Sequence, residues 1–311
     1  MNAAALPTIA FIGLGAMGRS MAVNLAAAGY PLRVFDIRRD VADEFAANDR
    51  ATAAGSPAQC ADGADVVITM LPTSEIVERA ALGEDGFAAA PTRPRLLIEM
   101  SSGAPERTRA IGERLAALGM MTIDAPVSGG VARAVSGELA IMAGGDPAGV
   151  DLATPILKVL GKTVTQVGGL GAGQALKALN NLVSAAGLLI AVEAVCVAKK
   201  YGLDAGRVVD VLNDSSGMNN ATRTKLKPFV LSGTYASGFS LDLMVKDLNT
   251  ALDLAGALGA QTPFGHACLD YWQNAARVLG PGRDHTEIAR LAATLAGVDA
   301  AEPPGTERRT T

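Results

Sequence analysis

The chain has 311 residues, 49% hydrophobic and 19% charged, with a formal net charge of −4 and a pI near 5.3. That length suits two domains with sizeable cores, and the acidic balance lacks the basic footprint of a nucleic-acid binder. Cys60, Cys196 and Cys268 lie too far apart for a metal or redox motif, so they read as buried reduced thiols, and no metal is expected.

Met1 to Thr8 is short and has no basic start, so no signal peptide is expected and the location read from it is cytoplasmic. Ile9-Ala-Phe-Ile12 then reads as a buried strand. Gly13-Leu14-Gly15-Ala16-Met17-Gly18 follows and opens a helical pattern ending near Gly29. A strand, a Gly-x-Gly-x-x-Gly turn and a helix together form the context of a dinucleotide site. The first glycine allows the tight turn, the second lets backbone approach a pyrophosphate, and the third lets helix and strand pack closely. Free N–H groups at the helix start would face the phosphates. Asp36 closes the next apolar run, 23 residues after Gly13, where a carboxylate can accept hydrogen bonds from the adenosine ribose. It would repel a 2′-phosphate and so favours NAD over NADP. Arg38 and Arg39 complicate this preference, because a guanidinium there could hold such a phosphate or simply start the next helix.

Further strands are expected at Leu32–Asp36, Val66–Met70, Leu96–Met100, Met121–Ala125, Leu139–Ala143 and Thr163–Val167, with helices between most of them. This alternation predicts a Rossmann-type doubly wound, mostly parallel sheet. Leu71-Pro72 ends the strand Val66–Met70 and turns the chain across the carboxyl edge, where open α/β sheets bind ligands. Asp124-Ala-Pro-Val-Ser-Gly-Gly130 exposes Ser128 beside Gly129 and Gly130, so a hydroxyl and backbone N–H groups can meet an anion; the same residues also fit an ordinary turn.

After Gly168 the pattern becomes helical. Gln174 to Tyr201 holds no breaker but Gly187 and ends in Lys199-Lys200 before Gly202, a helix stop. Twenty-eight residues make a rod about 40 Å long. Its apolar stretch Leu182–Ala198 is interrupted by Ser184, Gly187 and Glu193 and reads as a buried helix rather than a membrane span. Helices follow at Ala205–Asn213, Ala221–Leu231, Leu243–Leu258, Pro263–Leu279 and His285–Ala296. The expected division is a dinucleotide-binding domain over 1–167, an all-helical substrate and oligomerisation domain over 168–301, and a disordered tail over 302–311.

Lys177 and Asn181 are four residues apart and share one face of the rod, just past a run of glycines. A lysine and an amide there can reach one small substrate, although a single helical lysine usually only snorkels to solvent. Lys246-Asp247 at a helix start fits a solvated surface pair. His266 reads as packed or surface, and His285, after Asp284, as part of a cap. With no histidine base in view, a lysine becomes the leading proton donor.

In this order and spacing, the segments resemble the β-hydroxyacid dehydrogenase family, which includes 3-hydroxyisobutyrate dehydrogenase and tartronate semialdehyde reductase, with 6-phosphogluconate dehydrogenase as a distant relative. The resemblance runs from Ile9 to about Leu295 and rests on Gly13–Gly18, Asp124–Gly130, the glycine–Lys177–Asn181 motif and Lys246-Asp-Leu248. Val67–Pro72 and Glu99-Met-Ser-Ser102 look like two further cofactor loops of that family. The resemblance implies a Rossmann domain and a helical domain joined by the long helix, assembled as a homo-dimer or homo-tetramer. It implies Lys177 as general acid–base, Ser128, Gly129, Gly130 and Asn181 as substrate contacts, and Leu71, Pro72 and Ser102 as nucleotide contacts. Lys246 would sit near both nicotinamide and substrate. Glu99 stands where most members have Asp, which leaves the assignment of Lys177 untouched. The segment Asn213–Asn220 is where members diverge, so substrate identity stays open.

The expected activity is hydride transfer between NAD(H) and a small carboxylate substrate, a 3-hydroxy acid or its semialdehyde, with no nucleic acid or membrane partner. The alternatives are an NADPH-dependent imine or ketone reductase on the same fold and a non-catalytic nucleotide sensor.

Overall fold

A computed structural model describes residues 5–48 and 51–301; the expected tail, 302–311, lies outside the described residues. The elements run β1 (Ile9–Ile12), α1 (Ala16–Ala27), β2 (Leu32–Phe35), α2 (Arg39–Asn48), β3 (Ala51–Ala53), α3 (Pro57–Ala61), β4 (Val66–Thr69), α4 (Ser74–Leu82), β5 (Leu96–Glu99) and α5 (Pro105–Ala116). They continue with β6 (Met121–Asp124), β7 (Val127–Ser128), α6 (Gly130–Ser136), β8 (Leu139–Gly144), α7 (Pro147–Leu160), β9 (Gly161–Gly168) and α8 (Ala172–Tyr201). Last come α9 (Ala205–Asn213), α10 (Asn220–Thr224), a π turn at Leu226–Leu231, α11 (Leu241–Ala257), α12 (Pro263–Leu279) and α13 (Ile288–Ala296).

The first six strands are parallel in the order β3-β2-β1-β4-β5-β6, with β8 antiparallel to β6 and to β7, and β9 parallel to β8. This is the order of a Rossmann sheet, and it reverses between β1 and β4, which opens a crevice at the carboxyl ends. Strand alternation explains why both faces are covered. Ile9, Phe11, Ile68 and Ile98 pack into one core, while Ala10, Ile12, Val67 and Leu97 pack into the other. Two strands escape the sequence pattern. Ala51-Thr-Ala53 lacks the bulk that marks a strand, and Val127-Ser128 is only a two-residue pairing with β8.

Contacts divide the chain between Lys177 and Ala178, six residues into α8. The helical unit has its own core. Ala185, Leu188, Val192, Val195 and Cys196 lie on one stripe of α8 and pack with Leu248, Trp272 and Ile288. By length and composition α8 could cross a bilayer, yet that stripe is buried in the core of its unit. The helix expected over 221–231 is broken. Pro228 has no N–H to give to the preceding turn, so α10 stops at Thr224, and Phe229 and Val230 both donate to the Lys225 carbonyl. The last expected helix starts later than read: Asp284 caps a 3₁₀ turn at His285–Glu287, and α13 begins at Ile288.

Candidate active site

Two of the turn glycines are required by the protein itself. Gly13 has φ +101°, and a side chain there would run into the Met70 carbonyl oxygen; one on Gly18 would run into the carbonyl of Gly13. Gly15 differs. Its φ is −64°, ordinary for any residue, and nothing lies within 4 Å of where its Cβ would be. No contact among the described residues calls for glycine at 15, whereas a pyrophosphate lying against the backbone does. Ala16 and Gly15 are exposed, Leu14 is buried and Met17 half-buried at the start of α1, which has no side-chain cap on its first N–H groups. The arrangement fits a dinucleotide.

Asp36 follows β2 and is buried. One carboxylate oxygen accepts the Leu14 N–H at 2.8 Å, and the other accepts the Arg38 N–H at 3.0 Å and its Nε at 3.4 Å. Arg38 is therefore engaged with Asp36, and Arg39 pairs with Asp43 at 2.9 Å.

Sequence reasoning singled out Leu71, Pro72 and Ser102 on the neighbouring strand ends. Leu71 and Ser102 are half-buried and Pro72 is exposed. The ties that place them come from Ser101 and Gln174, to which the sequence reading gave no role. Buried Ser101 accepts the Leu71 N–H at 2.9 Å, and Gln174 joins the loop by accepting the Gly103 N–H at 2.8 Å and donating to the Ser101 carbonyl at 2.7 Å. Asp124, at the end of β6, receives the N–H groups of Gly171 and Gln174 at 2.7 Å each and so anchors the start of α8. Its pKa is raised by burial, against the pull of those donors. Glu99 is its parallel-sheet neighbour and accepts the Thr108 hydroxyl at 2.8 Å. Burial pushes its carboxyl up to about 8, with the negative charge of Asp124 adding to the effect.

Ser128 is half-buried on β7, and the loop continues through exposed Gly129 at φ +137° and Gly130 at φ +68°. All these residues, from Gly13 to the Ser128 loop, belong to the sheet unit.

Lys177 closes that unit and is 9% exposed; Asn181 follows one turn later on α8 and is 6% exposed. Within the helical unit, Asn181 Nδ2 donates to Asp247 Oδ2, and Lys246 Nζ lies 3.1 Å from Asp247 Oδ1. The reading of Lys246-Asp247 as a solvated pair fails, because the Asp247 side chain is 3% exposed. Amphipathic spacing was the available signal, since Asp247 falls beside Leu248 and Met244 on the buried face of α11. Asn219, from the divergent segment, caps α10 and donates to the Gly187 carbonyl of α8 at 3.1 Å. His266 is exposed. His285 is buried against Trp272 and Phe239, and burial, with the nearby Lys225 charge, pushes its pKa down to about 4. Among the described residues, no group of three or more His, Cys, Asp or Glu is placed to hold a metal.

Residues 8–169 match the family described as the NAD binding domain of 6-phosphogluconate dehydrogenase, and residues 171–292 match that described as NAD-binding of NADP-dependent 3-hydroxyisobutyrate dehydrogenase. The chain is 41% identical to a 3-hydroxyisobutyrate dehydrogenase of Pseudomonas aeruginosa, over 83% of this chain and 88% of that one. It is 37% identical to an NAD-dependent L-serine dehydrogenase of the same organism, over 91% and 97%. Among solved structures, a Mycobacterium tuberculosis 3-hydroxyisobutyrate dehydrogenase with L-serine superposes with a TM-score of 0.83 at 36% identity, covering 93% of this chain and 99% of that one.

Proposed function

The chain belongs to the β-hydroxyacid dehydrogenase family as an oxidoreductase with an NAD(P)-binding fold, and from that premise we propose that it catalyses reversible hydride transfer between NAD(H) and a small 3-hydroxy acid or its semialdehyde. The observation that carries this reading is a shielded lysine, Lys177, one turn before an amide on a helix whose start is anchored by Asp124. NAD(H) supplies or takes up the hydride when bound. Gly13, Leu14, Gly15, Ala16, Met17, Gly18, Asp36, Leu71, Pro72 and Ser102 would hold it, with Lys246 beside the nicotinamide.

In the direction of reduction, protonated Lys177 gives its Nζ proton to the oxygen that becomes the hydroxyl. In oxidation the neutral amine takes the hydroxyl proton. Ser128 and the Gly129–Gly130 backbone receive the carboxylate, Asn181 hydrogen-bonds the substrate, and Lys246 adds positive charge. Asp247 would hold both Asn181 and Lys246 in place, since it bonds each of them.

Asp36 supports NAD over NADP, because its buried carboxylate sits against the glycine turn, where it accepts the Leu14 N–H, and already engages Arg38. An NADPH-dependent imine or ketone reductase is the second reading, and Arg38 and Arg39 are what favour it. We also infer a cytoplasmic homo-dimer or homo-tetramer with no membrane or nucleic-acid partner. Val183, Ile190 and Val197 recur at seven-residue spacing on α8 and are 73%, 55% and 68% exposed, a stripe that a second copy would cover. Replacing Lys177 by Ala tests the reaction: turnover falls while NAD affinity, measured by fluorescence titration, is kept. Equal turnover in the variant removes Lys177 from the chemistry.

A further inference from the structure

α6 follows the Ser128–Gly130 loop directly, and its Arg133 lies one turn from Gly129. The aliphatic stem of Arg133 folds back across Gly129. A Cβ built on that glycine would lie 2.6 Å from Arg133 Cδ, 2.8 Å from its Cβ and 3.2 Å from its Cγ. Glycine at 129 is therefore needed for two reasons, its φ of +137° and the space the arginine stem fills. With Cδ resting on Gly129, the guanidinium is held beside the loop.

Several arginines of the sheet unit are paired: Arg19 with Glu44, Arg39 with Asp43, and Arg107 with Glu75 and Glu78; Arg79 and Arg95 are exposed and, among the described residues, pair with no side chain. Arg133 makes no side-chain ion pair or hydrogen bond among the described residues. The acidic residue nearest in sequence, Glu138, accepts from the Ser136 hydroxyl at 3.2 Å instead. Arg133 spends its stem on a glycine and keeps its planar donor fork available, the geometry that meets a carboxylate or sulfonate with two parallel hydrogen bonds.

We propose that Arg133 is a further substrate contact, a guanidinium that pairs with the anionic group received at the Ser128–Gly130 loop and so selects acids over their neutral analogues. This rests on the reading above, in which that loop holds the substrate's acid group. Because the arginine forks onto an anion and takes no part in proton or hydride transfer, its loss should act on binding and not on the chemical step.

The test uses the full-length enzyme, the 3-hydroxy acid it oxidises best, and the methyl ester of that acid. Arg133→Met keeps the stem over Gly129 and removes the charge; Arg133→Lys restores a charge without the fork. The expected result is a KM for the acid raised about tenfold or more in the Met variant, the loss of a hydrogen bond to a charged group. Its kcat should stay within about threefold, the ester and NAD constants should be unchanged, and Lys should recover part of the loss. An unchanged acid KM in the Met variant overturns the proposal, as does an equal shift for acid and ester. Those results leave the dehydrogenase reading standing as long as the wild type oxidises the acid. If the wild type oxidises no acid at all, both fall. Thermal midpoints of the variants should match the wild type, since Arg133 is exposed.

Discussion

At the carboxyl edge of the sheet, Asp36 and Asp124 are buried and satisfied mainly by backbone N–H groups, from Leu14 and Arg38 in one case and from Gly171 and Gln174 in the other. In the helical unit, Asp247 is equally buried but is met by side chains, the amide of Asn181 and the ammonium of Lys246. The difference is one of what fixes the donors. Strand ends and helix starts present N–H groups wherever the fold puts them, so the sheet-unit carboxylates report the path of the chain. The Asp247 cluster depends on which residues share a helix face, so it can be retuned by substitution without altering the backbone. The first arrangement suits a site for a large cofactor common to a family, the second a site that changes with the substrate.

The comparison is broken most sharply by Lys177→Ala. Loss of a general acid–base should lower kcat by about 10²–10⁴-fold, while NAD titration and the thermal midpoint stay near the wild type. A fall in both affinity and stability would instead make Lys177 part of the scaffold. Two glycine variants come next. Gly18→Ala forces a Cβ into the Gly13 carbonyl and should cost about 1–3 kcal/mol of stability in chemical denaturation. Gly15→Ala meets nothing within 4 Å among the described residues, so it should fold normally and lose NAD affinity alone. Should Gly15→Ala bind NAD as well as the wild type, the pyrophosphate does not lie against that turn.

For the helical unit, Asp247→Asn keeps the shape and removes the charge. It should cost about 1–3 kcal/mol, because the partners of a buried charged hydrogen bond are left poorly matched, and raise substrate KM with little change in NAD affinity. The smallest effects are in the dependence of stability on pH. His285 titrates at about 4 in the fold against an ordinary 6.5, so its contribution is full above 6.5 and is lost as pH falls toward 4. Glu99 has the opposite sign: at about 8 against 4.5, its contribution is full below 4.5 and is lost as pH rises through 8. Melting curves between those limits should show the acid loss flattened by His285→Gln and the alkaline loss flattened by Glu99→Gln.

Most strands of the sheet and the glycine turn are legible in the sequence because they rest on local signals: apolar runs of strand length, glycines after a strand, and an acid at the next strand end; the short β3 and β7 carry no such signal. The long helix is legible for the same reason, with Lys199-Lys200 and Gly202 closing it. What escaped is held by contacts distant in sequence. Gln174 reaches residues 71 and 73 positions away, and Asp124 reaches 47 and 50 positions to the start of α8. No periodicity records such ties. Ser101 and Ser102 are adjacent hydroxyls in the loop after β5, and only the path of that loop decides which is buried and which is left half-exposed. Asp247 was hidden differently, since a Lys-Asp pair near a helix start has an adequate surface explanation that only packing can remove. Pro228 was visible, yet its consequence, a π turn instead of a continuous helix, depends on how Lys225 can serve two donors.

The central claim is tested most directly by turnover of 3-hydroxyisobutyrate, L-serine, 3-hydroxypropionate and D-glycerate with NAD and, separately, with NADP. The account predicts NAD-linked oxidation of at least one of these acids and weaker activity with NADP. Activity confined to NADPH and neutral imines, or tight NAD binding with no turnover of any acid, would contradict it.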